Sequence, residues 1–86
     1  MDLQELRSEI DKIDKELIRL FEQRMDISLK VATYKKQYNL PIHDPVREQE
    51  ILDKISMQVK KEHTPAIKAL YTLLFELSRA KQEEEK

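Results

Sequence analysis

LQELRSEIDKIDKELIRLFEQRMDISLKVATYKKQY, Leu3 to Tyr38, contains one series of positions stepping by three and four without a break: Leu3, Leu6, Ile10, Ile13, Leu17, Leu20, Arg24, Ile27, Val31, Tyr34 and Tyr38. That spacing places them on one face of an α-helix, a heptad seam with Arg24 as its single charged member. A second line, Ile18, Phe21, Met25, Ser28, Ala32 and Lys35, runs beside it and makes the apolar face wider than a two-stranded zipper needs. Glu9, Lys12, Glu16, Arg19, Gln23, Asp26, Lys30 and Lys36 cover the opposite face as a solvated surface. At about 1.5 Å per residue, roughly 35 residues give a helix of about 52 Å.

Beyond the seam, Pro41 prevents continuation, so Asn39-Leu40-Pro41-Ile42-His43 reads as a connection. Asp44-Pro45 is a helix start: the carboxylate accepts from orphan N–H groups, and proline has no N–H to leave unsatisfied. The second helix is expected over 45–61, with Leu52, Ile55 and Val59 on one line and Ile51 beside it. Thr64-Pro65 repeats the signal for a third helix over 65–82, with Ile67, Leu70, Leu74 and Leu77 on one line and Tyr71, Phe75, Ser78 and Gln82 on the next. Residues after Gln82 are expected to be a frayed terminus. The reading is a single all-α domain over 1–86, with one long and two shorter helices. Two short helices that fold on each other cannot cover a helix of about 52 Å. The exposed remainder of its apolar face predicts an intertwined homodimer about a two-fold axis.

The composition removes most other chemistry. The chain has 86 residues, 16 basic against 17 acidic, two His, and no Cys, Trp or Gly. Without Cys there is no disulfide, thiolate nucleophile or sulfur-ligated metal, and two isolated His make a metal site improbable. Without Gly there is no glycine-dependent phosphate loop and few tight hairpins. A net charge of −1 lacks the basic excess of a nucleic-acid binder. No apolar run approaches the roughly 20 residues of a membrane span, and Met1 to Glu9 lacks the features of a signal peptide, so the expected location is the cytoplasm.

The informative positions are polar residues on apolar faces, because burying one without a partner costs on the order of a few kcal/mol. Arg24 and Lys35 lie within about 40° of each other and about 16 Å apart along the first helix, close enough for their side chains to converge on one small anion. Glu48 begins the apolar line of the second helix, with Arg47 beside it, and Ser78 and Gln82 continue the aromatic line of the third. Taken singly, a seam Arg pairs or snorkels, Asp44 is an N-cap, Ser78 is a small packing residue, and Arg47 with Glu48 is a surface pair. Together they describe three stripes that each turn polar near one end. A pocket lined by Arg24, Lys35, Arg47, Glu48, Ser78 and Gln82 suits a small carboxylated or dianionic metabolite bearing a hydroxyl. No nucleophile stands with a base, since His43 and His63 fall in expected loops. Catalysis here would rest on orientation and electrostatic stabilisation within one substrate molecule.

In this order and at these separations, the residues resemble the all-helical (type II) class of chorismate mutase over nearly the whole chain. The carrying motifs are Leu6-Arg7 with Ile10, Ile13-Asp14, Leu17, Leu20 and Arg24; then Lys35; then Pro41-Ile42-His43-Asp44-Pro45-Val46-Arg47-Glu48; then Ser78 with Gln82. The resemblance implies an isomerase that converts chorismate to prephenate by an intramolecular Claisen rearrangement, toward phenylalanine and tyrosine, with no cofactor and no metal. It implies that Arg7, Arg24 and Arg47 bind substrate carboxylates or organise the site. Lys35 and Gln82 would donate to the ether oxygen from two sides, while Asp44, Glu48 and Ser78 match positions at the ring hydroxyl, a carboxylate or their supports. Arg7 is about 25 Å from Arg24 along the helix and rotated by roughly 100°, so as a site residue it must come from the partner subunit. His43 departs from the family pattern, in which many relatives carry Arg, and is read as an exposed loop residue.

Two other readings stay open, and a third is disfavoured. An isochorismate pyruvate lyase would use a similar cationic pocket. A regulatory or dimerisation domain, detached from or fused to a larger aromatic-pathway enzyme such as a dehydratase or a DAHP synthase, would keep the fold. A plain coiled-coil dimer would not explain two helices that begin at proline.

Overall fold

The computed structural model describes residues 1–84, and every regular element among them is helical. Helix α1 spans Leu3–Gln37, α2 spans Pro45–Gln58, a single 3-10 turn spans Lys61–His63, and α3 spans Thr64–Glu84. Asp2 caps α1 by accepting from the Glu5 N–H at 2.8 Å. At the other end the amide of Leu40 bonds the carbonyl of Lys35 at 2.8 Å, and that of Asn39 bonds Lys36 at 3.4 Å. This is a Schellman closure, and it needs a residue with positive φ at its pivot. In a chain without glycine, Asn39 takes that position at φ 54°.

The expected start of α2 is observed, with Asp44 Oδ1 accepting from the Arg47 N–H at 3.0 Å and Pro45 in the first turn. The expected extension to residue 61 is corrected. Val59 is extended, with ψ 158°, and α2 stops at Gln58. The chain must reverse before α3, and Lys61–His63 makes that reversal, the His63 N–H bonding the Lys60 carbonyl at 2.8 Å. Because this turn feeds straight into α3, Thr64 is helical, with φ −57° and ψ −47°, rather than an N-cap outside the helix. At the far end α3 continues through Glu83 and Glu84 rather than fraying at Gln82; the rest of the expected tail, 85–86, lies outside the described residues.

Helix α3 is the hub, packing against both α1 and α2. The buried residues are Ser28 and Ala32 on α1, Ile55 on α2, and Phe75, Ser78 and Gln82 on α3. All the α1 contributions come from its C-terminal half, and every residue from Met1 to Gln23 is exposed. The seam residues Leu3, Leu6, Ile10, Ile13, Leu17 and Leu20 therefore face solvent in the single chain. The molecule measures 54 × 25 × 15 Å, with a radius of gyration of 16.0 Å. A compact chain of this length would have about 12 Å. The accessible surface is 7151 Å², against about 5,400 Å² expected for a compact monomer of this mass.

Candidate active site

The three helices converge where α1 ends, α2 begins and α3 runs out. There they enclose a cleft of about 350 Å³. Its polar lining comprises Arg24, Ser28 and Lys35 from α1, Asp44 with Arg47 and Glu48 from the start of α2, and Ser78, Arg79 and Gln82 from α3. Ile27, Val31, Ile42, Ile51 and Phe75 complete the wall. Every pocket residue expected from sequence lies here except Arg7, which sits on the exposed half of α1.

Each side chain is held by the element opposite. Arg24 Nη1 donates to Ser78 Oγ at 2.8 Å across α1 and α3, and its guanidinium lies 6.0 Å from the centre of the Phe75 ring. This seam arginine is therefore fixed inward rather than snorkelling to solvent. Lys35 Nζ donates to the Ile42 carbonyl at 2.7 Å, pinning the connecting loop to α1 and leaving two N–H groups for a ligand. Asp44 is an N-cap, as its bland reading holds, and also lines the cleft. Arg47 is largely exposed, with Nη1 3.7 Å from Glu50 Oε2.

Glu48 is the partly buried carboxylate of the site. Arg79 Nη1 donates to its Oε2, and His43 Nε2 stands 3.7 Å from its Oε1. His43 is exposed, as expected, yet it faces this carboxylate. Arg79 was not distinguishable as a site residue from charge alone. Its signal is position: it lies four residues after Phe75, on the same face of α3. With it the cleft holds four cations, Arg24, Lys35, Arg47 and Arg79, against two carboxylates, Asp44 and Glu48. That excess of two positive charges matches a dicarboxylate.

Gln82 is 7% exposed, and its Oε1 is buried with no hydrogen-bond partner among the described residues. A buried amide left in that state costs about 1–3 kcal/mol. Rotation about Cγ–Cδ exchanges Oε1 and Nε2, so the same position presents either an acceptor or a donor. Gln82, Lys35 and Ile42 also form the wall shared with a second, more apolar cavity of about 420 Å³ lined by Ala32, Lys36, Asn39, Leu40 and Pro41. Far from both, the Glu16 carboxyl is held below the usual carboxylate range by its hydrogen bond and charge pairing with Arg19, 2.9 Å away on the exposed half of α1. Among the described residues no group of three or more His, Cys, Asp or Glu is placed to hold a metal ion, and no helix is long and apolar enough to cross a membrane.

The chain is similar to proteins of one named kind. The chain is 46% identical over 61 residues to a bifunctional chorismate mutase/prephenate dehydratase of Aquifex aeolicus, which covers 71% of this chain and 17% of that protein. It is 41% identical over 61 residues to a chorismate mutase of Methanocaldococcus jannaschii, covering 71% of this chain and 61% of the relative. It is 32% identical over 53 residues to a 4-amino-4-deoxychorismate mutase of Streptomyces venezuelae, covering 62% and 52%. The chain thus spans less than two-thirds of each of these proteins. Residues 6–83, which include α2, nearly all of α1 and α3, and every polar group of the cleft, match the family described as chorismate mutase type II, and the chain belongs to that family.

Proposed function

We propose that the chain is a single chorismate mutase domain, converting chorismate to prephenate in the cytoplasm as part of phenylalanine and tyrosine biosynthesis. The observation that carries this reading is the buried Gln82 side chain, whose Oε1 has no hydrogen-bond partner among the described residues, in a cleft that also holds Lys35. A Claisen rearrangement breaks a carbon–oxygen bond while a carbon–carbon bond forms within one molecule, so it needs no nucleophile and no proton transfer. The pocket must hold the enolpyruvyl side chain over the ring and stabilise negative charge growing on the ether oxygen. Lys35 Nζ and Gln82 Nε2 would meet that oxygen from two sides. Arg24 and Arg47, with Arg7 of a second copy, would bind the two carboxylates. An acceleration of about 10⁶-fold corresponds to about 8 kcal/mol, divided between restriction of the side chain and charge stabilisation.

The substrate is taken as chorismate, with a hydroxyl on ring carbon 4, rather than the 4-amino compound in the name of the Streptomyces relative. The functional unit is proposed as a homodimer, on the evidence of the bare seam of α1. The bifunctional Aquifex relative also supports fusion to, or association with, another enzyme of the pathway. The test is loss of chorismate absorbance with product identification. The wild-type chain should form prephenate, and Arg24→Ala and Lys35→Ala should each lower kcat/KM by about 10²–10³-fold. Inactive wild type, release of pyruvate, or folded variants that keep the full rate would refute the assignment.

A further inference from the structure

The pair between Glu48 and Arg79 joins the first turn of α2 to the last turns of α3, with both side chains partly buried at 23% and 30% exposure. The mutase reading leaves Arg79 without a role, since the carboxylates, the ether oxygen and the ring already have partners. The same reading gives the substrate's neutral hydroxyl to Asp44, Glu48 or Ser78 without saying which of them accepts from it. In the cleft Asp44 is exposed and commits Oδ1 to the cap of α2, Ser78 accepts from Arg24, and Gln82 is assigned to the ether oxygen, so the partly buried carboxylate is that of Glu48. Glu48 remains. Its Oε2 is taken by Arg79, while its Oε1, 3.7 Å from His43 Nε2, lies beyond hydrogen-bond reach of that ring and is open to a ligand.

We propose that Arg79 is the specificity-determining residue of this site: by neutralising Glu48 it makes the carboxylate an acceptor for a neutral hydroxyl at ring carbon 4 and turns away a protonated amine there. This rests on the mutase reading above. A bare, partly buried carboxylate attracts an ammonium group strongly, whereas the Glu48–Arg79 pair carries no net charge, and the guanidinium repels a second cation placed at the same carboxylate. A hydroxyl keeps its hydrogen bond to Oε1 and suffers no such repulsion. Arg79 therefore sorts substrates by the charge of one substituent and adds nothing at the breaking bond, so its effect falls on KM more than on kcat.

The experiment compares kcat/KM for chorismate and for 4-amino-4-deoxychorismate in wild type, Arg79→Gln, Arg79→Lys and, as a charge control outside the cleft, Lys81→Gln, with circular dichroism confirming the fold of each. Wild type should prefer chorismate. Arg79→Gln should reduce that preference by about tenfold or more, the expected size for unbalancing one contact charge in a partly buried site. The change should come from a lower KM for the amine. Arg79→Lys, which keeps the cation, and Lys81→Gln should both retain the wild-type ratio. An unchanged ratio in Arg79→Gln, or equal loss in Lys81→Gln, overturns the role of Arg79 while leaving the mutase reading intact. Wild type that converts neither compound overturns both, and if Arg79→Gln does not fold, loss of the preference in folded Arg79→Lys refutes the charge argument on its own.

Discussion

Arg7 and Arg24 share one helix yet cannot share one ligand, and that geometry makes a quantitative prediction. Seventeen residues separate them, about 25 Å of helix rise and roughly 100° of rotation, whereas an arginine side chain reaches about 7 Å. The cleft encloses Arg24 but not Arg7. If Arg7 serves a site, it serves the one in the partner. On the proposed reading, removing either guanidinium would delete a charge-assisted hydrogen bond to a substrate carboxylate, and Arg7→Ala and Arg24→Ala should each lose about 10²-fold or more in kcat/KM. Mixed dimers behave differently. In a dimer of one Arg7→Ala and one Arg24→Ala chain, one site receives both defects and the other receives neither. Co-refolding equal amounts gives half mixed dimers on random pairing, each with one intact site, so about a quarter of the wild-type activity should return from two nearly inactive parents. The assay is chorismate disappearance before and after co-refolding at fixed total protein. If activity stays at the level of the parents although labelled chains have exchanged, or if Arg7→Ala alone keeps the wild-type rate, the shared-site argument is wrong.

Leu17 is 56% exposed on the bare seam; Leu17→Glu should convert a dimer in analytical ultracentrifugation to monomer, since burying the new charge costs several kcal/mol per chain, and an unchanged dimer would place the interface elsewhere. Asn39 holds φ 54° at the end of α1; Asn39→Gly should leave the thermal midpoint unchanged or slightly raised, while Asn39→Ala should destabilise by about 1 kcal/mol in urea titration. Gln82→Glu should be active only while its carboxyl is protonated and able to donate to the ether oxygen, so kcat should fall as pH rises through that group's pKa, whereas the wild-type amide should give a flat profile through neutral pH; a flat profile in the variant refutes the donor role.

The parts of this architecture that were legible in the sequence are those written along a single element. The seam from Leu3 to Tyr38 specifies α1 because each of its side chains reports the same rotation, and Asp44-Pro45 specifies a helix start because the chemistry of capping is local. Where the interaction partner lies far along the chain, the sequence carried less. The end of α2 depends on where the chain must turn to meet α3, and nothing in Gln58-Val59-Lys60 announces it. Arg79 pairs with a carboxylate 31 residues earlier, and on its own helix only its place four residues after Phe75 separates it from a surface cation. Arg24 was legible because it breaks an apolar line; Arg79 stands at the edge of one.

The distribution of burial ties function to association. Among the described residues six are buried, and three of these, Ser28, Ser78 and Gln82, are polar groups that line the cleft. None of the described side chains is fully buried. A protomer whose interior is half site and half core gains little hydrophobic stabilisation from its own fold. The apolar surface that would supply it lies along residues 3–20 of α1, on the half whose residues are all exposed in the single chain. The cleft can be filled with charge because the stabilising seam lies elsewhere, and the same seam would bring the partner's Arg7 to the site. In such a dimer, folding, dimerisation and completion of the active site would be one equilibrium, in which substrate binding would stabilise the dimer and dilution would oppose all three.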